Sequence, residues 1–208
     1  PVEGIEKGLP KHRSGSKHFA ALPWTDLPDL WQRLAGVNGM GALALRLCIL
    51  TAARSGEVRQ MEWRDVDLEA KVWTVPAAKM KAGREHRVPL SDAATKVLHA
   101  ARPLRARDEA LVFPSPKSGK ALSDMTLAAV LKRLGLAVTV HGFRSTFRDW
   151  AEEQGAWPHE VKEAALAHVV RSKTERAYRR TDLFEKRRAM MADWATFAIG
   201  SDEKGDRR

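Results

Sequence analysis

One cysteine and one tyrosine occur in 208 residues, and each scarcity excludes something. With Cys48 alone, no internal disulfide can close and no cysteine-based zinc site can assemble. Its setting, Leu45-Arg46-Leu47-Cys48-Ile49-Leu50, is that of a buried packing residue. No apolar run approaches the ~20 residues that cross a bilayer. The first residues also lack the continuous apolar core of a signal peptide. The expected setting is soluble, reducing and cytoplasmic, with no membrane partner. Acidic residues are outnumbered as well: 26 Asp and Glu face 36 Lys and Arg, a net charge of +10. Such a surplus either solubilises a surface or serves a polyanionic partner, most simply nucleic acid. There are no internal repeats, and the length suits one domain with a well-buried core.

What is present divides into three parts. Residues 1–19 are polar, basic and rich in Gly, Pro and Ser, and read as a linker or arm; their abrupt start suggests a piece of a longer protein. Residues 20–199 form the expected domain, and 200–208 a disordered tail. Within the domain, Leu27, Leu30, Trp31 and Leu34 make an apolar stripe behind Thr25 or Asp26 as cap. Ala42–Ala53 is apolar on nearly every side, as a buried central helix is. Two short β-like runs, 72–76 and 87–90, are joined by a polar Lys/Gly stretch, which describes a small sheet with a hairpin. A further short strand is expected at 110–113. Ser91 and Ser123 cap two helices, the second stopped by Gly135. Helices are expected over 141–154, from Pro158 to near His168, around Tyr178 behind the capping box Ser172-Lys173-Thr174-Glu175, and from Asp182 through Met190, Trp194 and Phe197. The fold class is therefore mainly α (α+β): helical, with a small antiparallel sheet.

The densest chemistry lies in residues 141–178. His141 and Arg144 are three positions apart and share a helix face with Arg148, while Phe143, Phe147 and Ala151 point to a core. His141 falls near a helix start, where free N–H groups and the positive dipole end favour an anion. His168 follows in Leu166-Ala167-His168, and then Tyr178. Alone, His-x-x-Arg is a common surface pattern, and a lone tyrosine is usually packed with its hydroxyl bonded.

Their company upstream is more specific. Thr51-Ala52-Ala53-Arg54-Ser55-Gly56-Glu57-Val58 is followed by Lys79-Met80-Lys81-Ala82-Gly83 and by His86-Arg87-Val88-Pro89-Leu90-Ser91. The order Arg, Lys, His-x-x-Arg, His, Tyr resembles the tyrosine recombinases, in particular the phage and prophage integrases. The resemblance extends from about residue 22 to about residue 198.

That resemblance implies a site of Arg54, Lys81, His141, Arg144, His168 and Tyr178. Two arginines would grip the non-bridging oxygens of a DNA phosphodiester with permanently charged planar forks. Arg54 is equally suited to an ion pair with Glu57, three residues on, and both roles are compatible. Tyr178 would be the nucleophile, giving a 3′-phosphotyrosine that conserves the bond energy for religation. A phenol titrating near ~10 needs a base, His168 or His141, or cations that favour the phenolate. Lys81 matches the lysine that protonates the departing 5′ oxygen; Lys79 is its rival, and both could simply neutralise phosphates.

No cofactor and no metal are expected, since Asp149, Glu152 and Glu153 form no recognised ligand spacing with the histidines. The remaining histidines carry no claim, although His86 could touch DNA from the hairpin. The implied partner is double-stranded DNA bearing attachment sites. Four protomers would act on two duplexes through a Holliday junction, the protein being a monomer alone, with Tyr178 or the final helix placed in cis or in trans. Integrases of this kind carry N-terminal DNA-binding domains for which this chain has no room. Two alternatives share the fold: a nicking topoisomerase using the same residues, and a catalytically silent DNA-binding regulator.

Overall fold

The segment Met40–Thr51 (α2) is the axis on which the rest packs, because it offers apolar side chains on nearly every face. Ala44, Leu45, Leu47 and Ile49 are completely buried, and Cys48 lies among them. The computed structural model describes residues 19–80, 82–104, 110–154, 157–168 and 181–200. Helix α1 (Leu27–Ala35) precedes α2, entered through a 3-10 turn at Trp24–Asp26, and buries Leu27, Leu30 and Leu34 as its stripe predicts. After α2 come the short α3 (Ser55–Arg59), then α4 (Asp92–Ala101), α5 (Asp124–Arg133), α6 (Gly142–Glu153), α7 (His159–Ala165) and α8 (Phe184–Ile199). Helices α3, α4, α5, α6 and α8 all pack on α2.

Helix starts follow local chemistry. Ser91 Oγ accepts from the Ala94 amide at 3.2 Å, so α4 is capped as expected. Ser123 stands at the N-cap of α5 but turns its hydroxyl to Thr126 Oγ1, 3.0 Å away. Gly135, in the left-handed region at φ 72°, ends that helix. Gly142 opens α6 beneath the chain at residues 20–22: a Cβ there would lie 2.2 Å from the Ala20 carbonyl oxygen. Thr146 Oγ1 donates to Leu22 O at 2.7 Å and holds that run in place.

The sheet is antiparallel in the order β1 (Val66–Asp67), β2 (Val72–Val75), β3 (His86–Pro89), with Val72 opposite Pro89 and Val75 opposite His86. It turns Trp73, Val75 and Val88 into the core. The strand expected at 110–113 is reduced to a single bridge between Leu111 and Glu62. Its partner enters the 3-10 turn Trp63–Asp65 directly after Glu62, so no ladder can propagate. The expected helix around Tyr178 lies outside the described residues, as do most of the arm and the tail.

Helix α8 closes the core. Trp194 packs against Phe147 and Trp150 of α6 with ring centroids 5.4 and 5.1 Å away, and its Nε1 donates to Ile49 O at 2.8 Å. Trp194→Ala removes a fully buried ring and the indole bond to that carbonyl, which keeps only the long 3.4 Å bond from the Ala52 amide. It should lower the unfolding free energy by about 3–5 kcal/mol, measured by chemical denaturation.

Candidate active site

Helix ends, more than helix faces, build the site. Helix α2 ends with Ala52 in the left-handed region (φ 50°), and α7 ends with Ala167 in the same conformation (φ 49°). At α7 the turn is a Schellman motif: the His168 amide bonds the Glu163 carbonyl at 3.0 Å and the Ala167 amide bonds the Ala164 carbonyl at 3.1 Å. The carbonyls of Ala52 and Leu166 are thereby turned out of their helices, and both accept from one side chain, Arg144. Its Nη1 donates to Ala52 O and its Nη2 to Leu166 O at 2.7 Å. Arg144, only 7% exposed, thus bridges the negative ends of two helices. Burial, and then the nearby charge of Arg54, bring its pKa down to about 10, so it remains a cation at neutral pH.

Arg54 follows the Ala52 turn by two residues. Glu57 holds it twice, accepting from its Nη1 at 2.8 Å and from its backbone amide at 3.0 Å. The ion pair anticipated from the sequence is therefore present, and it orients a guanidinium that stays partly open to solvent. Buried Cys48 lies beneath; burial, reinforced by the Glu57 charge, raises its thiol pKa far enough to keep it protonated.

His168 reaches Arg144 from the α7 turn, Nε2 to Nη2 at 3.5 Å, while its Nδ1 is 2.8 Å from Glu163 Oε2. His141 stands at the N-cap of α6 with the Phe19 ring 4.5 Å from its own. Burial and the charges of Arg144, Arg54 and His168 hold its pKa below the usual histidine value. Arg54, His141, Arg144 and His168 are thus brought together on one side of the molecule. Lys81 and Tyr178 lie outside the described residues. Lys79, the rival lysine, is engaged elsewhere, 2.8 Å from Glu62 and 2.9 Å from Asp65. Burial works to lower its pKa, but bonds to these two carboxylates outweigh that and raise it.

The sequence offered His86 only as a DNA contact from the hairpin and passed over two further residues. His86, at the start of β3, senses Arg187, Arg54 and Arg144. Its position five residues after Lys81 was the available signal. Arg187 of α8, 1% exposed, ties Asp182 to the hairpin through Arg87 O and so links the segment after Tyr178 to the strand after Lys81. The other, Glu163, is five residues before His168, a separation that pairs residues only across a Schellman turn. Among the described residues no group of three or more His, Cys, Asp or Glu could hold a metal ion.

Residues 31–183 match the Phage integrase family. The chain belongs to that family. It is 35% identical over 206 residues to the prophage integrase IntA of Escherichia coli (strain K12), covering 97% of this chain and 49% of IntA. The chain spans about half the length of the curated relatives it matches. Among solved structures, the integrase from mycobacterium phage Brujita superposes with a TM-score of 0.63 at 20% identity, covering 89% of this chain and 61% of that one. A lambda integrase tetramer bound to a Holliday junction gives 0.55 at 19% identity, over 74% of this chain and 48% of that one. These likenesses establish an integrase catalytic-domain fold: mostly helical, with a small antiparallel sheet. No helix among the described residues is long and apolar enough to cross a membrane.

The pH dependence of folding follows from His86. Burial, then Arg187 and Arg54, push its pKa from 6.5 down to about 4. The unfolded chain therefore takes up a proton that the folded chain refuses, and stability falls as pH drops from 6.5 through about 4. His86→Gln should flatten that slope in thermal melts recorded across this range; an unchanged slope would contradict the assignment.

Proposed function

We propose that this integrase-family chain carries out site-specific recombination of double-stranded DNA, cutting and rejoining strands through a 3′-phosphotyrosine. The observation that carries the reading is the convergence of Arg54, of His141 with Arg144, and of His168 from three separate segments. It is a cationic, donor-rich cup.

In this mechanism the remaining N–H groups of Arg144, which meet no acceptor among the described residues, and the open side of Arg54 bind the non-bridging oxygens of the scissile phosphate. Attack loads charge onto those oxygens, and donors already fixed in place stabilise it; each is worth about 3–4 kcal/mol. Tyr178 gives its proton to a histidine of the cup as its oxygen bonds to phosphorus. The bond to the 5′ oxygen breaks, and Lys81 protonates that oxygen. Reversal by a 5′ hydroxyl from the other duplex releases tyrosine and completes strand exchange. Lys79 is a poor candidate for the acid because two carboxylates already engage it. We further propose that four copies assemble on two duplexes, as lambda integrase does in its tetramer on a Holliday junction, and that the free chain is a monomer.

Tyr178→Phe should abolish covalent attachment to nicked suicide duplexes while DNA binding persists; attachment by that variant refutes the reading. Lys81→Ala should slow cleavage by roughly 10²-fold or more and Lys79→Ala far less. Attachment should continue in EDTA. Relaxation of supercoils without exchange between two sites would point instead to a topoisomerase.

A further inference from the structure

We propose that Glu163 is a positioning residue for His168, holding the imidazole with its proton on Nδ1 so that the Nε2 lone pair faces Arg144 and the phosphate. The inference rests on the recombinase reading and extends it by one residue that no motif marks.

The geometry has three parts. First, the Schellman turn returns His168 over Glu163, so the two residues pair through their backbones at 3.0 Å and through their side chains at 2.8 Å. A histidine merely near an acid by chance would not share both contacts. Second, the two ring nitrogens face opposite chemistry. Nδ1 meets a carboxylate oxygen, which can only accept, and Nε2 meets an Arg144 N–H, which can only donate. One neutral tautomer satisfies both neighbours: Nδ1 protonated, Nε2 free. The opposite tautomer would set an N–H against a guanidinium and a lone pair against a carboxylate.

Third, the carboxylate is itself held. Its Oε1 is buried and lies 3.4 Å from Arg148 Nη2 of α6, and it accepts no hydrogen bond among the described residues. Arg148 is the third member of the helix face shared by His141 and Arg144. A line thus runs from Arg148 through Glu163 and His168 to Arg144. Among the described residues, the groups around His168 are Glu163 from its own turn, Arg144 and His141 from the start of α6, and Arg54 beyond them. Glu163 is the one acid in that described set. With Nε2 unprotonated, His168 can take the tyrosine proton or accept a hydrogen bond at the phosphate, and Glu163 stabilises the imidazolium that follows proton uptake.

Two measurements on the 208-residue chain test this. Long-range proton–nitrogen NMR in mildly alkaline buffer reports the His168 tautomer without any reaction. The wild type and Glu163→Gln, whose amide oxygen still accepts, should show the Nδ1-protonated ring, and Glu163→Ala a shift towards the Nε2-protonated form. An unchanged spectrum in Glu163→Ala overturns the proposal.

Covalent attachment to a pool of nicked duplexes with randomised core sequence supplies the second arm. Glu163→Ala should slow attachment roughly tenfold to a hundredfold, below the ~10²–10⁴-fold contributed by an acid–base group itself. Glu163→Gln should recover most of that loss, and Glu163→Ala should add nothing further in a His168→Gln background. Full additivity in that background, or no recovery by Gln, overturns the positioning role. If the wild-type chain forms no adduct at all, the recombinase reading fails, and the NMR arm still decides how Glu163 sets the ring.

Discussion

The guanidinium of Arg144 is where three segments of the chain meet. It leaves α6 and ends between the carbonyls of Ala52 and Leu166, the terminal turns of α2 and α7. Two helix carboxyl ends in a nearly dry setting form a natural seat for a cation. A planar fork with five N–H donors can bond both oxygens and still present N–H groups outward. Arg54 then follows from Ala52 by chain connection, and His168 from Leu166. The same contacts that fasten the fold therefore set the spacing of the site.

Charge is distributed to match. The cup itself is cationic, and its acids lie to one side: Glu57 behind Arg54, Glu163 behind His168. Each carboxylate holds one donor-bearing side chain of the cup. At the rim, Arg187 joins Asp182 to the backbone of β3. The pieces of chain that follow Tyr178 and Lys81 are thereby tied together.

Much of this was legible in the residues. The all-round apolar character of Ala42–Ala53 announced a buried helix, the stripe of Leu27, Leu30 and Leu34 an amphipathic one, and Ser91 a cap that the structure forms. The order of Arg54, His141, Arg144 and His168 pointed to one phosphate-binding site, and the fold gathers these four. What stayed hidden lies in two left-handed alanines. Helix ends are read from glycine, and neither Thr51-Ala52-Ala53 nor Leu166-Ala167-His168 has one. An alanine at positive φ costs ~1 kcal/mol or more and persists where tertiary bonds outweigh it, as Arg144 does at both turns. Hence α7 looked as though it ran to His168, when it stops at Ala165 and folds back over Glu163. The strand at 110–113 was over-read for a related reason: its residues suit a strand, but its neighbour turns away after Glu62.

The seat of Arg144 is tested most directly by equilibrium unfolding of Arg144→Met, which keeps the length of the stem and removes the fork. Each carbonyl left buried without a donor costs about 1–3 kcal/mol, so the variant should lose at least ~2 kcal/mol of stability while retaining its helical content. A variant within about 0.5 kcal/mol of the parent, as for an ordinary surface substitution, would mean that the two helix ends do not depend on this arginine, and the account of the site would have to be abandoned.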